Sequence, residues 1–264
     1  MLPRRHRSCH CRNTGGGDGV DSGYYAAFSG WLARSQALDG AAGNLANAGT
    51  AGYRAERDYF RSAILSPDAL NSQLSTTINA FGVLGGSRLD MGQGALAPTG
   101  NPLDLAIEGN GFFAIETKQG IRYTRDGQFE RAGDGTLTTQ AGEPVLDARN
   151  QPVRLPAGAI AIGSDGAVSV NGAVAGRIAL FGFSAADALR AEGGNRYIPV
   201  DGAEATAAKG ALHQGALESS NQDVIGGSLQ LVLMQRQAEM MQKAVSMFSN
   251  DLDKAASEDL PRVL

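Results

Sequence analysis

The chain has 264 residues, of which 36 are Gly and 41 are Ala, with 6% aromatics and a single Trp. Two Cys cannot staple a chain this long, the Gly follow no period of three, and no run approaches about 18 uncharged apolar residues; a disulfide scaffold, a collagen and a helical membrane span are excluded. The net charge of −4 argues against a nucleic-acid partner, which leaves a basic footprint.

Residues 1–19 differ from the rest. They hold both cysteines (Cys9, Cys11), two of the three histidines (His6, His10) and four arginines. A zinc site is disfavoured, because the ligand spacing is poor and no second ligand pair follows. A secretory signal is disfavoured too: a Gly-rich polar stretch stands where an apolar segment should be, and Arg4-Arg5 lacks the apolar run of a twin-arginine signal. The preferred expectation is a mis-assigned gene start, with a disordered extension as the other reading. Val20 can be encoded by GTG, and the codons of Gly15-Gly16-Gly17 can contain a ribosome-binding site. A chain starting at residue 20 would have 245 residues, no Cys, and 19 basic against 26 acidic residues, a charge of −7.

Residues 20–53 are expected to form an N-terminal helix and its exit. From Tyr24 to about Ala48 there is neither Pro nor a β-branched residue. Tyr24, Phe28, Trp31, Ser35, Leu38, Ala42 and Leu45 recur at alternating steps of four and three, a heptad seam. Gly49 and Gly52 close the helix. Residues 54–99 read as irregular, broken at Ser66-Pro67-Asp68 and Gly85-Gly86.

Residues 100–200 read as a compact antiparallel β-domain. Asn110-Gly111, Asp126-Gly127, Asp134-Gly135, Asp165-Gly166 and Asn171-Gly172 are hairpin-type dipeptides. Strand candidates lie between them at 112–117, 121–125, 128–131, 136–138, 144–146, 159–162, 167–170 and 177–183. Residues 201–223 read as a connector. Residues 224–256 form a second helix, with a tail at 257–264. Its seam is Leu231, Met234, Ala238, Met241, Val245, Phe248 and Leu252, apolar over three heptads. A lone striped helix cannot bury its stripe, so the two terminal helices are expected to pair as an antiparallel coiled coil. The expected fold class is α+β: N- and C-terminal helices paired as a coiled coil and flanking an all-β middle domain.

The usual chemistry is missing. His213 sits in the connector with no nearby acid, and reads as a surface residue. There is no Gly-x-Ser-x-Gly elbow and no phosphate-binding Gly-Lys-Ser/Thr loop. Asp126, Asp134 and Asp165 precede Gly and read as turn residues. Arg122 and Arg125 read as a solvated strand face with one cross-strand packer. No catalytic residue, cofactor or metal is expected.

Three segments resemble one family. Gly43-Asn44-Leu45-Ala46-Asn47-Ala48-Gly49-Thr50-Ala51-Gly52-Tyr53-Arg54 resembles the Asn-Asn-Leu-Ala-Asn…Thr-x-Gly-Phe/Tyr motif of bacterial flagellar rod and hook proteins. Asn101-Pro102-Leu103-Asp104 through Gly109-Asn110-Gly111-Phe112-Phe113 resembles that family's central signature, extended by Tyr123-Thr124-Arg125-Asp126-Gly127. Leu217-Glu218-Ser219-Ser220-Asn221 and Met234-Gln235-Arg236 resemble its C-terminal motif. The length and the start Asp21-Ser22-Gly23-Tyr24-Tyr25 are most similar to the proximal rod type. A distal rod or hook-type protein is the nearest alternative, and a secreted β-domain enzyme or glycan binder the remote one.

The resemblance implies a structural subunit that polymerises through its terminal helices, with itself and other flagellar rod and hook proteins as partners. It implies export through the flagellar type III apparatus without a cleaved signal, residence in the basal body, and neither nucleic-acid binding nor membrane insertion. One departure stands out: Ile225-Gly226-Gly227-Ser228 follows the Asn-x-Asp motif, and two Gly cost roughly 1 kcal/mol each inside a helix. The second helix is therefore expected to start after Gly227 or to bend there. Asn44 and Asn47 are expected to bond freed carbonyls at the end of the first helix, and Asn221 and Asp223 to cap the second. The scarcity of large apolar residues suggests that neighbouring subunits supply much of the burial.

Overall fold

A computed structural model describes residues 18–61, 83–183, 188–200 and 203–259; the side chains of 18–26, 83, 248, 251–253 and 255–259 lie outside the description. Helix α1 (Asp18–Ala46) opens the chain and helix α2 (Val224–Asp259) closes it. Between them run β1 (Glu56–Arg61), β2 (Val83–Leu89), β3 (Leu96–Pro98), β4 (Leu105–Glu108), β5 (Phe113–Thr117), β6 (Gly120–Thr124), β7 (Phe129–Arg131), β8 (Leu137–Thr139), β9 (Ile160–Ile162), β10 (Ala167–Val170), β11 (Ala173–Arg177), β12 (Phe181–Gly182), β13 (Leu189–Gly193), β14 (Arg196–Pro199), β15 (Thr206–Ala207), β16 (Ala211–Gln214) and β17 (Ala216–Glu218). The chain divides into two compact units: Gln36–Phe60 with Leu84–Arg236, and Met1–Ser35 with Arg61–Val83 and Gln237–Leu264.

The first unit contains the β-rich middle. Its widest sheet has the order β13-β14-β6-β5, and a second has the order β11-β10-β9. The remaining pairs are two-stranded, including β16 on β4 and β17 on β3, both antiparallel. Strand β5 explains the packing. Successive residues point to opposite faces, and here both faces are covered. Phe113 and Ile115 enter one core with Leu105, Ile107, Phe129 and Leu137. Ala114, with Phe112 just before the strand, enters another with Tyr123, Leu146 and Tyr197. Phe113 and Phe129 meet edge-on at 5.0 Å, as do Tyr123 and Phe183 at 4.8 Å. The β-rich unit thus has two filled cores of its own.

Several boundaries differ from those expected. The span 54–99 is not wholly irregular, since it carries β1, β2 and β3. The connector at 201–223 carries β15, β16 and β17, and its strands return to pair with the start of the domain. Such pairing is non-local, and no local pattern announces it. The candidate strand at 177–183 is split between the end of β11 and β12. Residues 144–146 form only isolated bridges. Asn171-Gly172 does make the tight β10–β11 turn, with φ of 51° and 83°. Asp126-Gly127 is no hairpin. Gly127 is there because a Cβ would stand 1.7 Å from the Leu105 oxygen.

Helix α2 begins at Val224 and includes Gly226-Gly227, so it does not start after them. Asp223 caps it, its Oδ2 accepting from Gly226 N at 2.6 Å. Gly227 leaves room for a neighbour: a Cβ would lie 3.3 Å from Leu45 Cδ1. On α1 the most buried positions are Ala27, Gly30, Ala33, Ala37, Ala41 and Asn44. This stripe of small residues is offset from the expected seam. Phe28 and Ala42 are exposed, whereas Trp31, Ser35, Leu38 and Leu45 are only partly buried. The large side chains drew the pattern in the sequence, but the small ones are the most buried. Tyr24, Phe248 and Leu252 lie outside the described side chains, as do residues 1–17, where most of the proposed extension falls.

Two substitutions separate these glycine roles. Gly127→Ala should lower stability by more than about 2 kcal/mol, because backbone cannot yield to the new Cβ. Gly43→Ala, in a helix with open space around it, should raise stability by about 0.5–1 kcal/mol. Denaturant melts of the purified variants check both signs.

Candidate functional site

The three motifs converge on one buried junction in the β-rich unit. Its centre is Glu218, at the end of β17, wholly buried between Arg54 and Arg125. Glu218 Oε1 lies 2.8 Å from Arg54 Nη2, and Oε2 accepts from Arg125 Nη1 at 2.8 Å. Gly94 N also donates to Oε1, at 2.9 Å. The guanidinium groups reach beyond the carboxylate. Arg54 Nη1 donates to Gly92 O, while Arg125 donates to Ile107 O at 3.1 Å and to Gly109 O. Arg125 also lies over the Phe112 ring, 5.4 Å from its centroid. Burial pulls the Arg125 pKa down, and the Glu218 charge opposes that shift.

Asparagines tie the junction to the ends of the two helices. Asn44, in the last turn of α1, donates to Glu56 O at 2.8 Å and accepts from Glu56 N at 2.9 Å. Its amide therefore serves the start of β1 as a neighbouring strand would, and does not cap its own helix. Tyr53 donates its hydroxyl to the same Asn44 oxygen at 3.1 Å. Asn47 does cap, donating to Gly43 O at 2.9 Å and accepting from Thr50 at 3.2 Å. Asn221 does not cap α2. It accepts from Ala55 N at 2.8 Å and donates to Asp90 O at 2.8 Å and Gly92 O at 3.0 Å.

The crossing is tight. Gly52 has a φ of 66°, its N donates to Glu218 O at 2.7 Å, and a Cβ there would lie 2.3 Å from the Arg125 carbonyl carbon. Tyr197 closes the far side. Its hydroxyl accepts from Arg54 N at 3.0 Å and donates to Asn195 Oδ1 at 3.1 Å, and burial pushes its pKa up. Asn195 in turn donates to Ala51 O at 2.6 Å.

The other motif residues take separate places. Asp104 organises its own turn, accepting from Thr99 at 2.6 Å and Asn101 at 2.9 Å. The Pro102 carbonyl accepts from Gln214. Leu103 packs against the core that holds Phe113. Gly111 approaches Leu180 and Ala208 closely. Leu217 pairs with Ala97 across the β17–β3 ladder. Leu45 and Ala46 end α1, while Gln235 and Arg236 are exposed on α2, away from the junction. His213 corrects its expectation. It lies on β16 with an acid beside it, Glu108 Oε2 at 2.5 Å from Nε2, and both groups are largely exposed. Among the described residues no group of three or more His, Cys, Asp or Glu is placed to hold a metal.

Comparison with known proteins now supplies the family. Residues 106–170 match the flagellar hook protein FlgE/F/G D1 domain. The flagellar basal-body rod protein FlgF of Rhizobium meliloti is 34% identical over 245 residues, covering 89% of this chain and 97% of the relative. The FlgF of Caulobacter vibrioides is 32% identical, covering 92% of this chain and 100% of the relative. The chain belongs to the flagellar basal-body rod protein family. Its likeness is to the proximal type, FlgF; the rod protein FlgG of Bacillus subtilis is also similar, at 31% identity over 84% of this chain.

In this rod protein, parts of the three family motifs are thus joined in one hydrogen-bonded junction. The sequence reading picked out Asn44, Gly52, Tyr53, Glu218 and Asn221, but missed Arg54, Arg125, Asn195 and Tyr197 as members. The available signal was charge: Arg54 and Arg125 each stand at the edge of one motif, and Glu218 lies in another.

A buried carboxylate between two guanidiniums is costly to break from one side. Glu218→Ala should lower stability by about 3–5 kcal/mol, because two buried cations lose their counter-charge. Adding Arg125→Met should cost at least about 1 kcal/mol less than the sum of the single changes. A double-mutant cycle in urea checks the coupling; strict additivity would dissolve the network into independent contacts.

Proposed function

We propose that this rod protein polymerises through its terminal helices, with the β-rich unit held on them by the Arg54–Glu218–Arg125 junction. The observation that carries this reading is that the junction binds the end of α1 and the approach to α2 to one folded body. Whatever load reaches either helix is then passed to the β-rich unit through buried hydrogen bonds and ion pairs, with no free linker between. Homologues named as rod proteins place the chain in the flagellar basal body, as a structural subunit.

Helix pairing within the chain is part of the proposal. It is supported by α2, where Leu231, Met234, Ala238, Met241 and Val245 are partly buried while Gln235, Arg236, Glu239, Met240, Gln242 and Lys243 are exposed. It is also supported by the small-residue stripe of α1, which permits close approach, and by Leu45 lying against Gly227. Assembly with other rod and hook proteins, export by the flagellar type III apparatus without a cleaved signal, and a non-enzymatic role belong to the same reading. A distal-rod position is the second reading, favoured by the FlgG likeness.

Two measurements test this. Deleting the gene should abolish motility and arrest basal bodies before the distal rod is complete; arrest after a finished rod would favour the hook-type position, and normal rods would refute a rod role. Met241→Asp places a charge in the α2 seam. It should reduce incorporation into basal bodies by tenfold or more, at a burial cost of about 2 kcal/mol per subunit, while the thermal transition of the β-rich unit is unchanged.

A further inference from the structure

The chain contains two Asn-Gly pairs, both in its β-rich unit, and the fold treats them differently. Asn171-Gly172 makes the tight turn between the paired strands β10 and β11. Asn110-Gly111 makes no hairpin: it joins β4, which pairs with β16, to β5, which pairs with β6. Asn171 is clamped. Its N donates to Ala159 O at 3.0 Å, and its Oδ1 accepts from Ala159 N at 3.0 Å. Its amide also lies against Gly158, where a Cβ would stand 2.3 Å from Nδ2. Asn110 is exposed in a bend. Among the described residues no hydrogen bond holds its side-chain amide or the Gly111 N–H. Gly111 has a φ of 145° and no side chain to shield its nitrogen.

We propose that Asn110 is a site of spontaneous deamidation in the folded chain, a modification from which Asn171 is protected. The Gly111 nitrogen gives its proton to solvent base and attacks the Asn110 Cγ. A C–N bond forms, the Cγ–Nδ2 bond breaks, and ammonia leaves with a proton taken from water. The product is a five-membered succinimide. Water then adds to one of the two ring carbonyl carbons and the ring opens. Attack at Cγ gives Asp, and attack at the main-chain carbonyl carbon gives isoaspartate. The net change is the exchange of ammonia for water, with no oxidant, reductant or cofactor.

Asn110-Gly111 is strung between two fixed residues. Gly109 N donates to Gln93 Oε1 at 3.0 Å, and Gly109 O accepts from Arg125 Nη2. Phe112 N donates to Phe181 O at 2.8 Å, and Phe112 O accepts from Phe181 N at 2.9 Å. Isoaspartate routes the main chain through Cβ and Cγ, which lengthens this stretch by one carbon. The added atom displaces Gly109, and Arg125 then loses an acceptor while still buried. The modification thereby reaches the Arg54–Glu218–Arg125 junction. It needs only the folded β-rich unit and stands apart from any contact between copies.

Timed peptide mapping of the purified full chain tests this. The protein is held folded in mildly alkaline buffer, and samples are digested with trypsin. Asn110 falls in the tryptic peptide 89–118 and Asn171 in 155–177, so each site is read separately. Peptide 89–118 should gain the mass of NH2 replaced by OH at least about tenfold faster than 155–177, a ratio set by about 1.4 kcal/mol of added barrier in the clamped turn. In urea the two rates should converge to within about threefold, because the dipeptide is the same and the clamp is gone. Equal rates in the folded chain, or faster change at Asn171, would overturn the proposal. Isoaspartate in each peptide is scored by methyl transfer from S-adenosylmethionine with an isoaspartyl carboxyl methyltransferase. The aged native chain should show a lower urea midpoint, in proportion to its isoaspartate at 110. Asn110→Gln, whose ring closure would be six-membered and slow, should age without that fall. An aged native chain rich in isoaspartate at 110 but unchanged in midpoint would overturn the link to the junction.

Discussion

The structure depends on burying one carboxylate between two guanidiniums. Glu218 comes from the last strand, Arg125 from the middle of the domain and Arg54 from the segment after the first helix, so the two cations share their one counter-ion only when distant parts of the chain meet. Desolvating such a set costs several kcal/mol per ion, and only good geometry and further hydrogen bonds offset that cost. Here the further bonds are to backbone carbonyls of residues 92, 107 and 109 and to the amide of Gly94. The charged groups therefore fix where two further backbone segments lie, residues 92–94 and 107–109. An apolar cluster of equal volume would be more forgiving, because it has no direction. In this rod protein the polar junction supplies specificity of placement, and the apolar cores on either side of β5 supply most of the burial.

That division of labour explains how the helices are attached. A helix joined to a domain by a flexible linker transmits little. In this chain Asn44 lies within the last turn of α1 and satisfies both polar groups of Glu56 at the start of β1. Asn221, two residues before the cap of α2, satisfies the neighbouring Ala55 and the carbonyls of Asp90 and Gly92. The two amides thus stitch the helix ends to the same short stretch, residues 55–56, from opposite sides. Gly52 makes this possible, since only a residue without a Cβ fits against the Arg125 backbone in a left-handed conformation.

Much of this was legible in the sequence, and the rest was hidden for definite reasons. The two helices and most strands of residues 100–200 announce themselves by period and by turn dipeptides such as Asn171-Gly172, which are local signals. What stayed hidden was non-local. Strands β16 and β17 are short, half polar and Ala-rich, and they become strands because β4 and β3 offer open edges to them. Arg125 read as a strand residue on a solvated face because its partner is 93 positions away. The most buried face of α1 differs from the expected seam because periodicity arguments weight large side chains, whereas that face is built from Ala27, Gly30, Ala33, Ala37 and Ala41.

The abundance of Ala and Gly then has two distinct physical meanings. In the β-rich unit the glycines stand where backbone meets backbone, as at Gly52 and Gly127, and the core beside them is filled by Phe, Leu, Ile and Tyr at ordinary size. In the helices the small residues make surface, not space: a buried stripe of Ala and Gly contributes little hydrophobic free energy, about 25 cal/mol per Å² of a small area, but brings helix axes close. If the two helices pair as proposed, a pair built that way has little stability of its own. The large apolar groups of α2 that would strengthen it point outward instead, at Leu229, Leu233, Met240 and Met247. In the proposed polymer, contacts made by these outward groups would add the stability that a small-residue stripe lacks.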